Sequence, residues 1–146
     1  MGSLTDLAQD PAKRRAIVDD AARLLDAEVA DKRGLSGQAV KLAFKAVKGV
    51  SPGMISKSID ALLDDFCVQI QPFWADAQAR GVPARTHFQG QASAIAAALL
   101  SITDARAERS TQRVLKSAYG KLRGQAVKHI TEAMPRLADL VERHAS

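Results

Sequence analysis

The sequence predicts an all-α, single-domain bundle of five to seven helices around an Ala-rich central helix. Three observations carry this. Apolar residues recur at helical spacing almost throughout, with no alternating strand pattern. Ala, Leu, Arg, Lys, Gln and Glu dominate, and these residues lose little on entering a helix. Finally, 146 residues with 27 alanines, nine glycines and five prolines suit one compact unit, here 1–146, with no Gly/Ser-rich linker or internal repeat to divide it.

The elements follow in order. Asp10-Pro11 is a helix start, because Asp can accept free N–H groups and Pro fits the first helical position. Ile17, Ala21, Leu24, Leu25 and Val29 then form one apolar face, ended at Gly34. Ser36 opens a second helix, with Val40, Ala43, Phe44 and Val47 inward and Gly49 closing it. Ser51-Pro52 repeats the start signal before a long helix bearing Ile55, Ile59, Leu62, Leu63, Phe66, Ile70 and Phe73 on one side, with a kink or an end expected at Pro72. Gly81-Val82-Pro83 is the clearest interruption. From about Thr86 a helix carries Gly90, Ala94 and Ala98 at four-residue spacing and no charge before Asp104. Apolar on most sides, it is expected at the centre of the bundle with Ala94 and Ala98 buried. Another helix is expected from about Asp104 to Arg123-Gly124, with Val114, Leu115, Ala118 and Leu122 inward. The last carries Val127, Ile130, Met134, Leu137, Leu140 and Val141, with a kink at Pro135.

The stretch from Gly34 through the Lys48-Gly49-Val50-Ser51-Pro52-Gly53 turn to Asp64-Asp65-Phe66 resembles part of an uncharacterised bacterial all-helical family. That resemblance implies a bacterial, single-domain, all-helical protein and brings no activity, cofactor or catalytic residue.

Composition excludes several classes. Cys67 has no partner, so there is no disulfide scaffold. The longest uncharged stretch, Phe88 to Thr103, is too short and too polar to span a membrane. No basic region followed by an apolar run opens the chain, so a cytoplasmic setting is expected. The net charge of +5 is unevenly placed: residues 105–146 hold nine Lys/Arg against four Asp/Glu.

Within that region the expected helix 104–123 would align Arg106, Arg109, Arg113, Lys116 and Arg123 within about a 100° sector. Such a stripe could track a phosphate backbone or grip an acidic partner, although only Tyr119 lies near enough to stack on bases. The segment Phe44 to Lys57 resembles a helix-turn-helix at Gly49, Val50 and Ile55. Lys45, Lys48 and Ser58 depart from that pattern, and Asp60, Asp64 and Asp65 would oppose phosphates. An ordinary Gly-ended helix followed by a capped one is the expected reading.

Chemistry-bearing constellations are sparse. His129 and Glu132 share a helix face without a second Glu-x-x-His copy, and no zinc spacing exists. Cys67, between Phe66 and Ile70, is expected to be an inert buried thiol. Asp19-Asp20 and Asp64-Asp65 point to different faces and make poor acid–base pairs. Phe73 and Trp74, with His87 and Phe88, could rim an apolar pocket or an interface.

The expected function is therefore a non-catalytic helical binding or interaction protein, self-associating or with a protein partner. Nucleic-acid binding through the basic stripe is the alternative, and a small-molecule carrier or enzyme with a pocket near Trp74 is a further one. No cofactor, metal or membrane is implied, and the residues favour a non-enzyme over an enzyme.

Overall fold

A computed structural model describes residues 3–145; Met1, Gly2 and Ser146, the ends of the expected 1–146 domain, lie outside the described residues. These fold into nine α-helical segments and one 3-10 turn, without a strand. The helix count exceeds the expected five to seven because several long helical stretches are broken.

Helix α1 (Leu4–Gln9) is short. Ser3 and Asp6 close a capping box at its start. Asp10 accepts hydrogen bonds from the Ala12 and Lys13 amides and starts α2 (Pro11–Asp31), as its pairing with Pro11 predicts. Helix α3 (Gly34–Lys48) begins ahead of Ser36, and Gly49 closes it. Ser51-Pro52-Gly53 forms a turn, so α4 (Met54–Arg80) starts two residues later than the Ser-Pro signal suggests. It runs unbroken through Pro72. The ring leaves the Val68 carbonyl without its helical partner, but both residues are exposed and water can take that bond. Gly81, at φ 67°, turns the chain in the left-handed region that an L side chain rarely adopts.

The second half departs further from expectation. Helix α5 (Ala84–Gly90) and α6 (Ala92–Arg109) divide at Gln91. Helix α6 continues past Asp104, and Ser110-Thr111-Gln112 separates it from α7 (Arg113–Leu122). The Ser110 hydroxyl accepts the Gln112 amide and the Gln112 side chain accepts that of Val114. These local bonds compete with helix continuation. A 3-10 turn (Arg123–Gln125) leads to α8 (Ala126–Glu132) and α9 (Met134–Ala145). The kink expected at Pro135 is a break at Ala133, with Pro135 in the first turn of α9, where no N–H is missed.

Helix α4, rather than α6, is the central element: α1, α2, α3, α5 and α6 all pack on it. Helix α6 buries Ala92, Ile95, Ala96 and Leu100 on one face, while Ala94 is exposed and Ala98 half-buried. No heavy atom beyond the helix's own backbone lies within 4 Å of where a Cβ on Gly90 would sit. The small residues at four-residue spacing therefore mark a solvent face, not a close helix crossing.

The main core draws on α1, α2, α4, α5, α6 and α9, from Leu4 to Ala145, with Phe88, Ile95 and Met134 most deeply enclosed. Neither α3 nor α7 contributes to it. These two helices pack chiefly on each other. Ion pairs hold the rest: Arg14 of α2 bonds Asp60 and Asp64 of α4, and Arg85 of α5 bonds Asp139 of α9. Lys32, at the end of α2, is buried and spends its ammonium on Glu28, Glu132 and the His129 carbonyl.

A candidate binding groove

Because α3 and α7 stand apart from the core, a groove of about 790 Å³ opens between them and helices α2, α4 and α6. That volume lies in the range of small-molecule sites. The walls are built by helix faces whose apolar residues found too few neighbours to close over. Helix α2 supplies Leu25 and Val29, and α3 supplies Val40, Ala43, Phe44 and Val47. The first turns of α4 add Ile55 and Leu62, and α7 adds Leu115 and Leu122.

The rim is charged with one sign. Lys57, Arg106, Arg109 and Lys116 line the groove, and no Asp or Glu does. Among the described residues none of the four enters an ion pair, whereas Lys48, for example, bonds Asp26 at 2.8 Å and lies over the Phe44 ring. The cations come from the start of α4, the end of α6 and the start of α7, whereas the α2 and α3 walls are apolar. The two sides of the groove thus differ in kind.

Thr103 and Tyr119 line the same space. The Tyr119 hydroxyl donates to Asp104 and contacts the Thr103 hydroxyl at 2.7 Å. Arg123 also bonds Asp104, at 2.8 Å, and together with Tyr119 it holds that carboxyl below its ordinary range. Burial, reinforced by Asp104, pushes the Tyr119 phenol up. Tyr119 is thereby a fixed wall, neutral near pH 7, rather than a free proton donor. No His, Cys, Asp or Glu lines the groove, so its chemistry is that of shape and positive charge.

The expected basic stripe does not exist as one helix face. Arg106 and Arg109 end α6, Arg113 and Lys116 start α7, and Arg123 lies in the 3-10 turn bonded to Asp104. The break at 110–112 instead gathers Arg106, Arg109 and Lys116 around the groove. Val114, expected inward, is exposed.

The aromatic cluster is also placed differently. Trp74 and Phe88 are buried in the core, with Phe73 packed against it. The His87 side chain is nearly enclosed and bonds Asp76 at 2.9 Å. They plug the α4–α5–α9 end of the bundle instead of rimming a pocket. His129 and Glu132 do meet, at 3.3 Å, but Glu132 is held by Lys32, whose ammonium keeps its carboxyl below the ordinary range. Among the described residues no three His, Cys, Asp or Glu side chains gather as a metal site, and no helix is long and apolar enough to cross a membrane.

The helix-turn-helix likeness ends at the turn. Helix α4 runs for 27 residues as the central element, and its Asp60 and Asp64 are bonded to Arg14.

The sequence pattern of a family of unknown function, DUF6918, matches residues 4–145. The chain belongs to this family. The matched region takes in every helix of the fold and all of the groove, so the groove is part of the DUF6918 unit rather than of an appended segment. No curated protein and no solved structure matches the chain.

Reading the sequence alone missed the groove walls. The signals were present: a Ser-Thr pair in the middle of an expected helix, and an α3 face of four apolar residues followed by a helix whose own apolar face points elsewhere. Only the assembled helices show that these faces do not close.

Proposed function

We propose that the protein is a binding protein that takes up a small apolar molecule in the groove between α3, α4 and α7. The observation that carries this reading is the withdrawal of the α3–α7 pair from the core, which leaves apolar walls around about 790 Å³ of open space. Exposed apolar walls of that extent favour an occupant, because covering them releases surface from water. Trp74 is not among the residues that line this groove, but the ligand class is that of a carrier.

Nile red titration tests it. The native protein is expected to bind the dye with raised fluorescence. Ser58, which lines the groove from α4, is half-buried, and Ser58→Trp places an indole inside the cavity. That variant is expected to lose most of the binding while melting normally. Absence of dye binding, or binding that ignores the blocking side chain, refutes the reading.

Self-association is a second reading with its own observation. On α3, Leu35 is 93% exposed and Leu42 is 69% exposed, seven residues apart on the outer face. Large apolar side chains displayed together on one helix favour contact with another copy. Sedimentation equilibrium is expected to show a dimer that the double substitution Leu35→Glu, Leu42→Glu converts to a monomer. A native monomer at the highest soluble concentration removes this reading.

A further inference from the structure

We infer that the groove's occupant is an anionic amphiphile: one acid group on an apolar body, in the size class of a long-chain carboxylic acid. This rests on the reading of the groove as a small-molecule site and adds the chemistry of the ligand. The argument is the asymmetry of the walls. Helices α2 and α3 offer only apolar contacts, whereas Lys57, Arg106, Arg109 and Lys116 all come from α4, α6 and α7, without a carboxylate among the lining residues.

Cations without an ion pair also lie elsewhere, Arg15, Lys41 and Arg113 among them; what sets these four apart is that they line one apolar groove together. Arg14, Arg85, Arg123 and Arg136 all find carboxylates within the fold. Among the described residues those at the groove do not, so an acid group can reach them without displacing an internal carboxylate. A guanidinium presents a planar fork suited to two acid oxygens, and charge-assisted bonds of this kind are stronger than neutral ones. The linker residues Ser110 and Thr111 also line it. A neutral apolar ligand would fill the walls and leave the cations to water. A cationic one would be repelled. A nucleic acid would find the phosphate partners but only Phe44 and Tyr119 as aromatic lining, set in an otherwise aliphatic groove.

The head and the chain can be tested separately. Isothermal titration below the micellar range compares dodecanoate, dodecanol and dodecyltrimethylammonium on the native chain. Dodecanoate is expected to bind about tenfold more tightly than dodecanol or better, and dodecyltrimethylammonium most weakly. Passing from decanoate to dodecanoate is expected to raise affinity about fourfold per methylene kept inside the groove. The double substitution Arg106→Gln, Arg109→Gln, which leaves Lys57 and Lys116 in place, is expected to cut the preference for the acid severalfold with the melting temperature unchanged.

Equal binding of dodecanol and dodecanoate overturns the inference and leaves the groove as an apolar site. So does a preference for dodecanoate that the double substitution leaves undiminished. Failure of all three probes together with Nile red removes the groove reading itself. Binding confined to phosphatidylglycerol vesicles, with no uptake of free dodecanoate, also overturns the inference, because it moves the anionic partner to a membrane surface.

Discussion

Gly37 shows how one residue can set the seat of a helix. A Cβ on it would lie 2.9 Å from the Lys32 carbonyl carbon and 3.2 Å from the Lys32 Cβ, so the start of α3 rests directly on the end of α2. Alanine ordinarily stabilises a helix interior relative to glycine by about 1 kcal/mol. Here the contact is with backbone, which cannot swing aside. Gly37→Ala is expected to destabilise the protein by about 1–3 kcal/mol in urea unfolding; an unchanged midpoint would show that α3 can shift freely. Cys67 is a second residue whose surroundings decide its behaviour. Burial, aided by Asp64, raises its thiol from an ordinary 9.0 to about 11. The thiolate fraction near neutral pH falls about a hundredfold with that rise. A thiol reagent is therefore expected to label Cys67 at the rate of unfolding, and fast labelling of the native chain would show an open α4 face.

At the scale of the element, α6 separates two properties that composition confuses. Its sequence lacks charge from Ala92 to Thr103, which reads as a helix buried on most sides, yet Ala94 and Ala97 face solvent. Alanine is the best helix former and leaves little apolar surface in water, so an exposed alanine costs almost nothing. Ala94→Leu is accordingly expected to change stability by less than about 0.5 kcal/mol, measured by thermal melting. A loss of several times that size would restore the tight-crossing picture. Helix ends were more legible than helix faces. Asp10-Pro11, Gly49 and Gly81 all terminate or start elements where their chemistry predicts, since a cap is decided within about four residues of chain. The division at Ser110-Thr111-Gln112 escaped prediction because its hydroxyl and amide bonds compete with a helix only slightly less favourable.

The whole molecule is tied together by carboxylates that link distant helices. Arg123 and Tyr119 lower Asp104, Lys32 lowers Glu132, and Arg136 lowers Asp31. A carboxyl whose folded value lies below its unfolded one stabilises the fold above the unfolded value, and that contribution is lost as pH falls through the folded value. Melting temperature is thus expected to hold steady near neutrality and to fall below about pH 4. A flat profile down to pH 3 would show that these pairs contribute nothing. The helical class, the boundaries at Asp10-Pro11, Gly49 and Gly81 and the inert setting of Cys67 could be read from the sequence, because propensity, capping and periodicity act between near neighbours in the chain. The central place of α4, the burial of Trp74 and Phe88, and the convergence of Arg106, Arg109 and Lys116 on one groove belong to the tertiary structure alone. Periodicity tells which face of a helix is apolar. Whether enough neighbours exist to cover that face depends on how all the helices divide one core, and here α3 and α7 were left outside it.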